Sequence, residues 1–429
     1  MQVNKVRLSN FRNYSECELL LQRGRNILVG ENAQGKTNFL EAIEFLSTAK
    51  SARADQDIDL IKWQAPHMVA QLEYDCRQGT QELRVAYARD LNPENRRKIE
   101  KKIGINGVTQ KSISDLVGRL LVVSFSSQDL YLLRGGPRYR RDWIDSLVVK
   151  LRPSLLEVYA NYKKCLAQRN KLLKSIFERG KVTVSDQDQL LVWDKQLSRF
   201  GARVIKERLS VLARLLPIAE EQQSRISRER EELSIRYVFK AGDSGPASSS
   251  SLDAEDDDDD VSESEVSTGP LNAAQLAAMS EEEIASTLMR LLKERRAMEI
   301  RRKQTSLGPH RDDLVFCLND RDAVSFASQG QQRSIVVSLK LAELNLVRDT
   351  LDEAPVLLLD DVLAELDEFR QGLLMSVVEQ DMQTIITTTH VSGFHPRWLE
   401  DAAIFRVHEG RVERLQPTPA GYVEHVTSG

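Results

Sequence analysis

The chain has 429 residues, with 60 Lys and Arg against 64 Asp and Glu, so its formal net charge is −4. Taken whole, that near-balance argues against a nucleic-acid partner, because binding DNA needs cations that displace condensed counterions. The total hides an uneven distribution: thirteen Asp and Glu and no Lys or Arg lie between Asp243 and Glu283, and removing those thirteen negative charges from −4 leaves +9 on the rest. The sequence therefore reads as a mildly basic body with one acidic segment. Cys17, Cys76, Cys165 and Cys317 are far apart with no CxxC pair, which excludes a disulfide scaffold and a Cys-based zinc site and fits a reducing, cytoplasmic setting. The N-terminus has no apolar core of a signal peptide, and no apolar run approaches the roughly 18–20 residues of a membrane span. Secreted, membrane, collagen-like and purely coiled-coil classes fall away.

Residues 3–30 read as short strands with a turn at Leu21–Gly24, the last strand being Arg25–Val29. Phe39, Leu40, Ile43 and Leu46 share one face of a helix over Thr37–Thr48. Further strands are expected within residues 68–125, with Asn106-Gly107 as a hairpin turn. From Leu155 the apolar spacing becomes helical (Leu155, Tyr159, Tyr162, Leu166, then Leu173 and Ile176, skipping Arg169). It resumes through Leu190, Trp193, Leu197, Phe200 and Val204, the pattern of an antiparallel helix pair. Residues 241–270 are acidic, serine-rich and nearly devoid of apolar side chains, so disorder is expected there. Ser280 with Glu283 makes a capping box for another helix. Strand and helix then alternate from Pro309 to His408. The predicted domains are 1–145 and 306–429 as two parts of one α/β head, 146–240 as a helical arm, 241–279 as the acidic insert and 280–305 as a returning arm helix.

Three segments carry chemistry. Gly30-Glu31-Asn32-Ala33-Gln34-Gly35-Lys36-Thr37 is a G-x4-GK-[ST] phosphate loop between a strand and a helix. Its backbone N–H groups are expected to cradle phosphates, with Lys36 reaching the β and γ phosphates of ATP and Thr37 a Mg²⁺ ion. Val356-Leu-Leu-Leu-Asp360-Asp361 is an apolar strand ending in carboxylates, in which Asp360 is the metal-side residue and Asp361 stands where a base for attacking water belongs. Ser328-Gln329-Gly330-Gln331 opens a second capped helix, another anion site. One nucleotide needs only one such site, which suggests that this one serves the nucleotide of a second subunit.

Together with Ala364-Glu-Leu-Asp367 and Asn10-Phe-Arg-Asn-Tyr14, these segments resemble the ABC-type ATPase heads of the SMC and Rad50 class. Gly308-Pro-His-Arg-Asp-Asp313, the Ser-Gln-Gly-Gln-Gln-Arg signature, Leu358-Leu-Asp-Asp-Val362, and Phe125-Ser-Ser-Gln-Asp-Leu130 followed by Arg138, Arg140 and Arg141 are similar to the RecF family of bacterial recombination-repair proteins. The resemblance runs from about residue 3 to 415, apart from the acidic insert. It implies a Q-loop role for Gln128, which senses Mg²⁺ and γ-phosphate; the family more often has Pro-Glu where this chain has Ser127-Gln128. It implies a D-loop role for Asp367 across a dimer interface, a switch-histidine role for His390 and a phosphate contact for Arg12. Asp361, shorter than the usual glutamate, suggests slow turnover.

By resemblance, ATP closes a homodimer on gapped, single-stranded or duplex DNA without sequence preference. The complex then promotes loading of RecA together with RecR and RecO, in the cytoplasm at the nucleoid. Candidate DNA contacts are Arg96, Arg97, Lys98, Lys101 and Lys102 on a hairpin, and Arg138, Arg140 and Arg141 at a helix start. Arg295, Arg296, Arg301, Arg302 and Lys303 form a third basic run. No aromatic interleaving is read in these runs, so contact with phosphates rather than stacking on bases is expected. The rival readings are a transporter-type ATPase subunit, disfavoured by the helical arm, and a non-hydrolysing ATP-gated DNA scaffold, disfavoured by the intact Asp360-Asp361 pair.

Overall fold

The computed structural model describes residues 1–48, 50–51, 53–54, 56–90, 99–240, 272–378, 382–391, 394 and 398–415. In chain order the strands and helices are β1 (Gln2–Phe11), β2 (Tyr14–Leu20), β3 (Arg25–Val29), α1 (Lys36–Thr48), β4 (His67–Cys76), β5 (Gly79–Arg89), β6 (Ile99–Ile105), β7 (Val108–Gln110), β8 (Val122–Ser126), α2 (Tyr131–Arg134), α3 (Pro137–Leu151), α4 (Leu155–Arg179) and α5 (Val184–Ser227). They continue as β9 (Leu233–Val238), α6 (Ala273–Ala278), α7 (Glu281–Arg302), β10 (Asp313–Leu318), β11 (Arg321–Asp322), α8 (Ala323–Phe326), α9 (Gln329–Leu351), β12 (Val356–Asp360), α10 (Glu368–Val377), β13 (Thr384–Thr388), β14 (Ala403–His408) and β15 (Arg411–Leu415). The chain divides into two compact units, Met1–Asp129 with Leu339–Gly429, and Leu130–Ser338.

In the first unit, one sheet runs β2-β1-β4-β5-β6-β7 and is antiparallel throughout. Asn106 and Gly107 both take positive φ, 50° and 76°, the backbone of the tight β6–β7 turn. The other sheet runs β15-β14-β3-β13-β12-β8, parallel except for the β14–β15 hairpin. Its strands come from both ends of the sequence, so the N- and C-terminal segments complete one sheet. β12 and β13 are buried along nearly their whole length, as expected of parallel strands covered on both faces. α1 inserts Phe39, Ile43, Phe45 and Leu46 into a core shared with Phe11, Tyr14, Tyr87, Leu358 and Ile385.

In the second unit α4 and α5 pair, and α5 also packs along α7. Gly180 ends α4 in the left-handed conformation (φ 68°), and Thr183 with Asp186 forms the capping box that starts α5. The position skipped in the apolar spacing belongs to the core by charge. Arg169 is fully buried and donates to Asp194 Oδ1 (2.7 Å) and Thr305 Oγ1 (2.8 Å), and pairs with Glu299 (2.7 Å). Two expectations change here. The end of the predicted arm, 233–238, is the strand β9, paired with β10, because Leu233 and Tyr237 bury themselves in a small sheet rather than on a helix face. The end of the predicted insert, 273–278, is the helix α6, started by a capping box at Asn272 and anchored by buried Leu276; residues 241–271 lie outside the described residues.

Candidate active site

The carboxyl ends of β3, β13, β12 and β8 align, with Val29 opposite Thr388, Thr387 opposite Asp360, and Asp360 opposite Ser126. The phosphate loop, His390, the Asp360-Asp361 pair and Gln128 therefore all leave the sheet at one end, where open α/β sheets place their ligands.

The loop keeps its path because neighbouring segments pin it. Gly35 has φ 112°, and a Cβ there would stand 2.5 Å from Asn13 Nδ2; a Cβ at Gly30 would stand 2.2 Å from the Val407 carbonyl oxygen. Asn13 donates Nδ2–H to Gln34 O (3.0 Å) and accepts at Oδ1 from Asn38 Nδ2 (2.9 Å), while Tyr14 donates its hydroxyl to Gly35 O (2.9 Å). From the β14–β15 turn, the N–H groups of Gly410 and Glu409 donate to Gln34 O (3.0 Å) and Gln34 Oε1 (2.7 Å). Asn13, Asn38 and Gly410 were not singled out from sequence; the Asn10–Tyr14 string was the available signal for the first. Glu31, Asn32 and Ala33 are exposed, and Ala33 takes φ 65°.

Lys36 is 7% exposed and donates Nζ to the carbonyls of Gly30 and Glu31 (2.7 Å each). Burial lowers its pKa, opposed by the negative charges of Asp361 and Asp360. Thr37 Oγ1 donates to Asp360 Oδ1 (2.8 Å), and Thr387 Oγ1 donates to the same oxygen (2.7 Å). The other Asp360 oxygen faces Arg53 Nη2 at 3.4 Å. Asp361 has φ 58° and donates its N–H to Thr387 O (3.2 Å). Its Oδ1 is a buried acceptor without a hydrogen-bond donor among the described residues. Burial raises its pKa, and Asp360 adds to the rise, while Lys36 and His390 pull it down. Thr387 and Arg53 were missed from sequence: a threonine in a buried strand and a loop arginine look ordinary there.

Gln128 is exposed on the short 3-10 turn Ser127–Leu130. That turn is tied back by Asp129, whose Oδ2 accepts the Ser126 N–H (2.6 Å); burial pushes its carboxyl up to about 6. His390 is exposed, with Nδ1 2.8 Å from Thr389 Oγ1. Arg12 is held in an ion pair with buried Glu41 of α1, donating Nη2 to Oε1 (2.6 Å) and Nε to Oε2 (3.0 Å). Asp367 caps α10 by accepting the Arg370 N–H (2.8 Å). In the second unit, Ser328 and Gln331 bond reciprocally: Ser328 N–H donates to Gln331 Oε1 (2.8 Å) and Gln331 N–H to Ser328 Oγ (3.3 Å). Gln329 and Gly330 begin α9.

The basic candidates separate. Arg96, Arg97 and Lys98 lie outside the described residues. Lys101 pairs with Asp57 and lies 5.2 Å from the Tyr87 ring centroid, and Lys102 pairs with Glu100 (3.1 Å). Arg138 is exposed. Arg140 is a correction: it is 8% exposed and joined in a fork to Asp313 (2.8 and 3.0 Å), so it offers no cation to solvent. Arg141 is half-buried, donating to Asp312 O (3.1 Å), and burial lowers its pKa. In the third run Arg296 turns inward to Asp194 (2.7 Å), while Arg301 and Arg302 stay exposed. A second correction concerns aromatics: Tyr139 stands between Arg138 and Arg140 and stacks on Tyr131.

A phosphate loop, a paired hydroxyl and carboxylate and a mostly parallel sheet define a P-loop ATPase head of ABC type. Residues 2–410 match the RecF/RecN/SMC N terminal domain, and the chain belongs to that family, on its RecF branch. It is 38% identical to the DNA replication and repair protein RecF of Thermosynechococcus vestitus, over 98% of this chain and 99% of that one. It is 36% identical to that of Halalkalibacterium halodurans, over 96% and 100%. A solved structure of the recombination mediator protein RecF-ATP in the RecFOR pathway superposes with a TM-score of 0.79 at 29% identity, covering 97% of this chain and 98% of that one. No helix among the described residues is long and apolar enough to cross a membrane.

Proposed function

We propose that this chain is an ATP-driven DNA-binding switch of replication and repair, which dimerises on MgATP, holds gapped or single-stranded DNA, and releases it on slow hydrolysis. The observation that carries this reading is the junction of Thr37, Asp360 and Thr387 beside an unpartnered Asp361 oxygen.

The residues fit a Mg-nucleotide. Lys36 is a buried ammonium whose hydrogen bonds among the described residues go to carbonyls, so an anion in the loop would gain a charge-assisted partner. Thr37 and Asp360 offer two hard oxygens, the small protein share that Mg²⁺ takes when it keeps waters and phosphate oxygens. Bound Mg²⁺ supplies charge neutralisation to the phosphates. Asp361 has an acceptor to orient an attacking water, and burial raises its pKa, which makes the carboxylate a better proton acceptor than an exposed one. Gln128 and His390, which leave the sheet at the same end, serve as sensors of the phosphate end. Ser328–Gln331 serves the nucleotide of a second copy, with Asp367 at the same interface.

The RecFOR setting of the solved relative supports the further reading that the DNA-held dimer works with RecR and RecO to promote RecA loading. The test is binding to gapped, single-stranded and duplex DNA, with and without MgATP, at two salt concentrations. ATP-dependent affinity for DNA, weakening as salt rises, supports the proposal; affinity indifferent to nucleotide refutes the switch.

A further inference from the structure

The turn that opens the second unit displays a stacked aromatic pair at the surface. Tyr131 begins α2 and Tyr139 lies in the first turn of α3. Their ring centroids are 5.1 Å apart, with planes 18° from parallel, and the residues are 49% and 47% exposed. The turn between them is shaped to hold this pair. A Cβ at Gly135 would stand 2.5 Å from Tyr139 Cδ2 and 2.7 Å from the Tyr131 carbonyl oxygen, so a side chain there would push the second ring off the first. Pro137 at the start of α3 fixes the turn's exit.

Cations flank the rings. Arg134 is exposed and donates Nε to Gln332 Oε1 (2.9 Å). Arg138 has a side chain 79% exposed, with Asp142 Oδ2 3.7 Å from its Nε. Beside α2 lies α8, whose Phe326 is 70% exposed and walls a cavity of about 390 Å³ together with Arg321 and Gln331.

Rings exposed together as a stack, rather than scattered singly, are the kind of surface that marks a contact site. Flat rings interleaved with guanidinium groups match one chemistry closely: a base stacks on the ring while its neighbouring phosphates meet the cations. Bases inside a duplex present no free face, so such a site selects unpaired nucleotides. We infer that Tyr131 and Tyr139 form a stacking platform for an unpaired base of single-stranded nucleic acid, with Arg134 and Arg138 contacting the adjacent phosphates. This rests on the DNA-binding reading above and adds to it a means of telling single strand from duplex.

The experiment uses the full chain with MgATP and three probes: an oligodeoxythymidine, an abasic strand of equal length and charge, and a duplex. Losing base stacking costs roughly five- to a hundredfold in affinity. Tyr131→Ala with Tyr139→Ala should therefore weaken oligodeoxythymidine binding by about tenfold or more, with abasic and duplex binding unchanged and the salt slope preserved. Tyr131→Phe with Tyr139→Phe should bind as the parent does. In the parent, 2-aminopurine placed in the single strand should be quenched on binding, and the alanine pair should abolish that quenching. Equal weakening on bases and abasic strand, unchanged binding to both, or no quenching in the parent would each overturn the platform while leaving DNA binding intact. Loss of the ATP-dependent dimer in the alanine variant would assign the rings to a contact between copies and also overturn it. A parent that binds none of the three probes refutes the DNA-binding reading itself, and the platform with it.

Discussion

Arg140 is a structural arginine only two residues from Arg138, the exposed arginine that we propose contacts DNA. Its guanidinium donates to Asp313 Oδ1 (2.8 Å), Asp313 Oδ2 (3.0 Å), Gly135 O (2.9 Å) and Leu132 O (3.4 Å). Both side chains of the ion pair are only 9% exposed. Arg140→Ala would leave Asp313, among the described residues, with no cation closer than Lys240 Nζ at 3.9 Å. Stranding one partner of a buried pair costs about 3–5 kcal/mol. Urea unfolding followed by circular dichroism should therefore show a large fall in midpoint for Arg140→Ala. Arg138→Ala, an exposed position, should change stability by about 0.5 kcal/mol or less and instead reduce DNA affinity and the salt slope. Arg140→Met combined with Asp313→Leu should recover much of the loss, because a buried pair replaced whole by apolar groups is often neutral. An Arg140→Ala protein that unfolds with the parent but binds DNA weakly would refute this assignment.

Gly35→Ala forces a Cβ to 2.5 Å from Asn13 Nδ2 at φ 112°; ATP affinity, measured with a fluorescent nucleotide, should fall more than tenfold, an effect that Asn13→Ala fails to restore because the backbone strain remains. Asp361→Asn should keep nucleotide binding and lose most phosphate release. In the parent, turnover should decline on acidification from a pH above the ordinary carboxylate range, because burial raises the Asp361 pKa and protonation removes the acceptor. His310 is half-buried, with Nδ1 2.6 Å from the Tyr162 hydroxyl and Nε2 3.2 Å from Thr305 O, and loss of solvent around the ring drives its pKa down to about 3. The unfolded state therefore binds its proton first. The stability of the neutral form is complete above pH ~6.5 and drains as pH falls toward about 3, so the parent's unfolding midpoint should fall more steeply across that window than that of His310→Gln.

Much of the head was legible because its motifs are contiguous. The phosphate loop and Asp360-Asp361 each occupy a single stretch whose backbone role follows from residue type, and the capping boxes at Ser280 and Ser328 formed where the spacing placed them. What stayed hidden depends on partners distant in sequence. Thr387 reaches Asp360 across twenty-seven positions, and Asn13 braces Gln34 from another sheet. Arg140 and Arg138 look alike in a basic run; only the fold reveals that one faces Asp313 and the other solvent. Arg169 broke the apolar rhythm of the arm because the seam there is closed by a buried charge network. β9 fell within the predicted helical arm because its pairing partner β10 lies far along the chain, where apolar spacing gives no sign of the pairing. The charge count carried the same lesson: counted by segment it allowed DNA, but it could not identify which cations are spent on internal pairs.

The central claim is a nucleotide site completed by the Ser328–Gln331 turn of a second copy, and complementation tests it most directly. Lys36→Ala has a disabled loop and an intact signature, and Ser328→Arg the reverse. Sedimentation with MgATP should show the parent as a dimer and each variant alone as a monomer, with Ser328→Arg still binding ATP. Mixing the two variants should restore dimer, because one intact composite site forms between them. A mixture that stays monomeric beside a dimeric parent, or Ser328→Arg that loses ATP binding as a monomer, would contradict the shared site.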